Sequence, residues 1–114
     1  MDTSHQPDFD AHDILFEALA HQRRRYALRS LDNYDAPLAL ADLAEEVAVQ
    51  EQDVPITYIP AEDVKQIYIS LYHNHLPKLE EASLVRYDQE TDSVVLADTG
   101  EQLEYHISVA QHDS

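Results

Sequence analysis

Gln66, Ser70, His73 and Asn74 recur at i, i+4, i+7 and i+8 within AEDVKQIYISLYHNHLPKLEEASL, residues 61–84. On a helix that spacing draws one narrow stripe. All four side chains are uncharged and can donate or accept hydrogen bonds, the equipment that reads base edges in a DNA groove, where Gln and Asn pair with adenine. Lys65 and Lys78 lie beside the stripe. The plainer alternative is a solvated helix face. Around the rest of the same helix, at about 100° per residue, Val64, Ile67, Tyr68, Ile69, Leu71, Tyr72, Leu76, Leu79 and Ala82 fall on one broad apolar arc. The pattern predicts a helix over 61–84 buried on more than half its girth.

Four of the seven basic residues, Arg23, Arg24, Arg25 and Arg29, sit close together near residue 25. They could contact DNA phosphates, or they could pair with surrounding carboxylates and clamp helices together. Seven histidines without a cysteine raise the question of a metal. His73 and His75 point about 200° apart on a regular helix and cannot hold one ion, and no HExxH pattern occurs. His106, His112 and a carboxylate across a dimer are the least implausible ligand set, and no metal or other cofactor is expected. Carboxylates abound, but nothing places a nucleophile beside a base, so the sequence names no catalytic residue and an enzyme is not expected. Gly100 is the only glycine, which excludes phosphate-cradling loops of the Walker or dinucleotide type.

A chain of 114 residues, 44% of them hydrophobic, is enough for one domain with a modest core. Its charge is the outlier. Asp and Glu number 23 against seven Lys and Arg, a net charge of −16. Such a surface either meets a cationic partner or is adapted to molar salt, where repulsion is screened within a few ångströms. The acidic residues are spread along the chain instead of forming a tail, which favours the second and reads as halophilic. With no cysteine, disulfides and thiolate metal sites are out. No apolar run approaches the roughly 20 residues that span a membrane, and MDTSHQPDFD has no basic region followed by an apolar one. The default is therefore a soluble cytoplasmic protein with no membrane partner.

The elements that must position these residues follow from periodicity. Residues 1–8 read as a flexible N-terminus. Ile14, Leu15, Ala18 and Leu19 share a face of a first helix, about 10–20, with Asp10 or Asp13 near its start. His21 or Gln22 breaks the run, and Ala27, Leu28 and Leu31 mark a second helix, about 22–32, ending in DNYDAP. Pro37 and Leu38 begin a short extended segment. Leu40, Leu43, Ala44 and Val47, at i, i+3, i+4 and i+7, define a third helix, about 40–51, with Asp42, Glu45 and Glu46 outward. The connection 52–60 carries two prolines among Val54, Ile56, Tyr58 and Ile59 and reads as an ordered loop packing its own side chains. Glu62 and Asp63 suit the first turn of the helix that follows. Pro77 inside that helix removes the bond to the carbonyl of His73 and predicts a kink near 73–77. A hairpin follows, Val85–Tyr87 and Val94–Leu96 around a loop at Asp88–Ser93. Leu103, Ile107 and Ala110 line one side of a terminal helix, 98–114, whose narrow apolar stripe suggests a second subunit.

Helices ending in a two-stranded hairpin describe a mainly α winged helix-turn-helix over 9–97, with a recognition helix at 61–84 and a wing at 85–97. The wing is acidic at Asp88, Glu90 and Asp92. At this level ILFEALAHQRRRYALRSL, LADLAEEVA and SLYHNHLPKLEEASLVRYD resemble the small winged-helix regulators of halophilic archaea, related to the ArsR-like repressors, over about residues 12–97. Ser83 stands where that family usually has glycine, and the connection between the third and fourth helices is nearly ten residues where a compact helix-turn-helix has three or four. The resemblance implies a homodimeric transcriptional regulator with its fourth helix in the major groove of double-stranded DNA. On that reading Gln66, Ser70, His73, Asn74, Lys65, Lys78 and Arg23–Arg25 contact DNA, and Ile14, Leu103, Ile107 and Ala110 form the dimer interface. The alternative is an interaction module on the same fold, its acidic surface meeting a protein partner.

Overall fold

The computed structural model describes residues 11–34 and 36–97. The expected loose N-terminus, the terminal helix with Leu103, Ile107 and Ala110, and His106 and His112 lie outside the described residues.

Helix α1 (Ala11–Leu19) buries Ala18 and Leu19 and ends in a turn at Ala20–His21. The break the sequence places there has a clear cause. His21 takes the capping position of α2 (Gln22–Tyr34): its carbonyl accepts from the N–H groups of Arg24 and Arg25, and its Nδ1 accepts from the N–H of Arg23 at 3.2 Å. A side-chain acceptor at this position satisfies a donor the first turn cannot pair internally.

Strand β1 (Leu38–Ala39) leads directly into α3 (Leu40–Gln52). The stripe of Leu40, Leu43, Ala44 and Val47 is fully buried, joined by Ala48, and α3 packs between α2 and the helix that follows. Between α2 and α3 the buried Ser30 hydroxyl accepts from Gln50 Nε2 at 2.7 Å, so no polar atom is stranded there. Asp53, with φ 57°, ends α3 in the left-handed region that short polar side chains tolerate. In the connection 53–60 a 3₁₀ turn at Ile56–Tyr58 is followed by buried Ile59. Ile56 and Tyr58 face outward, so the loop packs fewer of its own side chains than its composition suggests.

The long fourth helix is not continuous. It consists of α4 (Ala61–Ser70), a π-helical turn (Leu71–His75) and α5 (Leu76–Glu81). The distortion falls where Pro77 requires it. Pro77 lacks an N–H and would press its ring on the His73 carbonyl in a regular helix. The wide turn admits one extra residue, closed by the N–H of Leu76 on the carbonyl of Leu71, and α5 restarts with proline in its first turn, where proline is tolerated.

Helix α5 stops in a Schellman arrangement: Leu84 N–H donates to Leu79 O and Ser83 N–H to Glu80 O, both at 2.9 Å, while Leu79 and Leu84 are buried together. Ser83 is the left-handed residue, φ 61°. Glycine, which has no Cβ to crowd that region, would adopt it without the penalty serine carries. Ser83→Gly is expected to stabilise the fold by about 0.5 to 1 kcal/mol, the left-handed penalty less the greater freedom of an unfolded glycine. Urea midpoints for the two proteins check it, and an unchanged or lower midpoint would show that serine carries no strain.

Strands β2 (Val85–Asp88) and β3 (Ser93–Leu96) form the wing, paired antiparallel with Arg86 opposite Val95. Strand β1 adds to the other edge of β3, Leu38 opposite Val94, giving the order β1-β3-β2. Val94 and Val85 carry the sheet into the core formed by Leu28, Leu31, Leu43, Leu71 and Leu79. The result is a mainly helical, winged-helix-like fold with a small antiparallel sheet. No helix among the described residues is long and apolar enough to cross a membrane.

Candidate nucleic-acid interface

Helix α4 turns Ile67 inward with half-buried Val64 and Tyr68. Its outer face shows Lys65, Gln66 and, in the π turn, His73 and Asn74, all exposed. Gln66 Nε2 donates to Glu62 Oε2 one turn earlier, at 3.1 Å. Ser70 departs from the stripe: it is half-buried, and its Oγ accepts from Arg23 Nη1 at 3.2 Å. The buried arc is also narrower than its sequence pattern, because Ile69 is 40% exposed and Tyr72 37% exposed, both on the outer face.

The wing leans on this face. Gln89 Nε2 donates to Tyr72 Oη at 3.2 Å, and the rings of Tyr72 and Tyr87 meet edge-on with centroids 6.0 Å apart. Tyr87 donates from its hydroxyl to Asp92 Oδ1 at 2.5 Å, a bond that holds the phenol protonated well above its usual range. Its N–H, on the free edge of β2, donates to Glu80 Oε2 at 3.0 Å. Glu80 thus occupies a donor that an unpaired sheet edge would expose. The wing tip carries the acidic residues Asp88, Glu90 and Asp92.

The arginines of α2 turn toward the protein. Arg23 makes a two-bond pair with Glu51, Nε to Oε2 at 2.5 Å and Nη2 to Oε1 at 2.8 Å. Arg24 is only 8% exposed and donates to the Glu17 carbonyl, while Arg25 donates to the Leu19 carbonyl at 2.8 Å. Both meet the C-terminal end of α1, where a cation complements the helix dipole. Arg29 reaches Gln50 Oε1 and lies over the Tyr26 ring. Of these arginines Arg23 pairs with a carboxylate, while Arg24, Arg25 and Arg29 donate to carbonyl and amide oxygens. Lys78, beside the stripe in sequence, lies 3.5 Å from Glu17. Among the described residues Lys65 and Arg86, unlike Lys78 and the four arginines of α2, make no side-chain hydrogen bond or ion pair. Arg86 is an exposed wing residue that the sequence reading passed over. Its signal was the in–out alternation of Val85, Arg86 and Tyr87, which directs it away from the core.

His75 separates from His73 as their spacing demands: His73 is exposed and His75 is 2% exposed. The His75 ring meets that of His21 edge-on, centroids 4.5 Å apart, and its Nδ1 has no partner among the described residues. Burial, then His21, Arg24 and Arg23, hold the His75 pKa down at about 4. Among the described residues no three His, Asp or Glu side chains gather as a metal site. Ile14 of α1 is half-buried.

No curated protein and no solved structure gives a significant match to the chain. The family model described as Domain of unknown function (DUF7344) matches residues 16–95, from within α1 to the last strand of the wing, and the chain belongs to that family.

Proposed function

We propose that this domain is a sequence-specific DNA-binding transcriptional regulator. It acts as a homodimer without a cofactor or catalytic role, and α4 and the π turn lie in the major groove of double-stranded DNA. The observation that carries the proposal is the exposed row Lys65, Gln66, His73 and Asn74 on the helix after the α3–α4 connection, with the wing tied to it through Gln89 and Tyr72. A helix end rich in hydrogen-bonding side chains and braced by a wing is the form in which this fold reads base edges. Phe16, 71% exposed on α1, supports a second copy packing on that helix.

The acidic surface sets the conditions. At about 1 M salt the Debye length is near 3 Å, so Asp88 and Glu90 repel phosphates only at contact. Counterion release is weak there too, which leaves base contacts as the main source of affinity. Gln66→Ala and Asn74→Ala are each expected to weaken binding to a selected site by about 1 kcal/mol, with unfolding midpoints unchanged because both side chains are exposed. The test is selection from random duplexes in molar potassium chloride, then titration of the variants. Failure to enrich any sequence would remove the DNA-binding reading.

A second reading, an acidic module for a basic protein partner, is favoured by one observation. Five of the seven cations are engaged within the fold, while Asp42 and Glu45 of α3 face outward with the acidic wing. It takes over if the same selection yields nothing.

A further inference from the structure

We propose that Ile69 is the side chain with which this helix reads thymine, packing on the C5-methyl group that thymine alone carries into the major groove. The inference rests on the DNA-binding reading above. Ile69 is 40% exposed in the middle of the outer face. Lys65 and Gln66 precede it by four and three residues and His73 follows by four, so hydrogen-bonding groups frame it on the helix surface. Its apolar neighbour Tyr72 is held by the wing through the Gln89 bond. Ile69 is thus an aliphatic group that stands outside the core cluster of the described residues and keeps two-fifths of its surface exposed.

Isolated helix stability does not account for the residue. A β-branched side chain at an exposed helical position is inferior to Gln, Glu or Lys in propensity and gains nothing from water. An apolar protein partner would call for a broad patch, whereas Ile69 and Tyr72 are framed by Lys65, Gln66 and His73. A base pair offers the matching mixture: an A·T pair shows the adenine N7 acceptor and N6 donor on one side and the thymine O4 and methyl on the other. Gln66 and Ile69, three residues apart, have Cβ atoms about 5 to 6 Å from each other. That spacing lets the amide take adenine while the isoleucine covers a thymine methyl of the same or the adjoining pair.

The experiment replaces each thymine of the selected site in turn with deoxyuridine, which removes the methyl and leaves the hydrogen-bonding edge unchanged. Binding is titrated in molar potassium chloride. Wild type is expected to lose about fourfold in affinity at one or two positions, the effect of one methyl-sized group returned to water. Ile69→Ala should lose a similar factor on the thymine site and show no further response to deoxyuridine, whereas Ile69→Val should keep most of it. Ile69→Ala is compatible with folding, since the side chain is partly in solvent and alanine favours the helix. Specific binding by wild type with no response to deoxyuridine anywhere overturns the inference and leaves the DNA-binding reading standing. An undiminished response in Ile69→Ala assigns the methyl to another residue and also overturns it. If wild type selects no sequence at all, both readings fall.

Discussion

Lowering the pH from 7 to 5 is expected to destabilise the folded domain by about 1 to 2 kcal/mol through His75. The ring is 2% exposed, pressed on His21, with Arg24 and Arg23 nearby and no partner for Nδ1 among the described residues. Burial is the largest cause of its lowered pKa, and the neighbouring His21, Arg24 and Arg23 act in the same direction. The folded value is about 4 against 6.5 in the unfolded chain. Between those two values the unfolded chain binds a proton that the folded chain refuses. Stability from this group is therefore complete above 6.5, falls as pH is lowered, and stops falling below about 4. One pH unit within the window is worth at most about 1.4 kcal/mol, or about 2 kcal/mol in all at pH 5. Solvent beside the exposed His21 lowers that ceiling, hence the expected range. His21 itself is pushed the same way, chiefly by burial and then by Arg24, so it adds to the slope. Carboxylates titrate mainly near pH 4, which makes pH 6.5 to 5 the clean interval. Urea unfolding at fixed molar salt across that interval gives the slope. His75→Leu should flatten it, and an unaltered slope in that variant would place the titrating group elsewhere.

His75 also shows which parts of this fold the sequence exposes and which it hides. Its position could be read: it falls opposite His73 at helical spacing, next to Leu71 and Leu76. The stripe of α3 was legible for the same reason, as was the in–out pattern of the wing. Pro77 announced a distortion because a missing N–H is a local fact. The form of the distortion was not local, and it misled the reading of the outer face. Counted from Val64 at about 100° per residue, the buried residues of α4 centre near 350°, whereas Leu76 and Leu79 fall near 120° and 60°. The two arcs merge into one that swallows Ile69 and Tyr72. The π turn holds one extra residue. Subtracting about 100° for it returns Leu76 and Leu79 to the line of Ile67 and Leu71, and Ile69 is left outside. Partners distant in the chain were illegible for another reason. The four arginines of α2 and 23 carboxylates allow many pairings, and only the packing of α2 on α3 selects Glu51 for Arg23.

That selection carries the largest expected effect of a single substitution. Arg23→Ala should cost about 2 to 3 kcal/mol of stability. Exposed ion pairs contribute about 0 to 1 kcal/mol, and removing one partner of a fully buried pair costs about 3 to 5. Arg23 and Glu51 lie between these limits, with side chains 27% and 23% exposed. Two parallel bonds fix their geometry, and the third, to Ser70, ties α4 to the same guanidinium. Loss of the arginine leaves a half-buried carboxylate and a serine hydroxyl without their partner at the meeting of three helices. Arg23→Lys should recover less than half, because an ammonium cannot reproduce the planar fork. Unfolding midpoints in molar salt measure both variants. The same proteins separate the clamp from a phosphate contact. At a temperature where Arg23→Ala remains folded, a clamp leaves affinity for a selected DNA site intact, whereas a phosphate contact weakens binding to every sequence alike. A stability loss under about 0.5 kcal/mol together with uniformly weaker DNA binding would return Arg23 to the interface and displace the clamp.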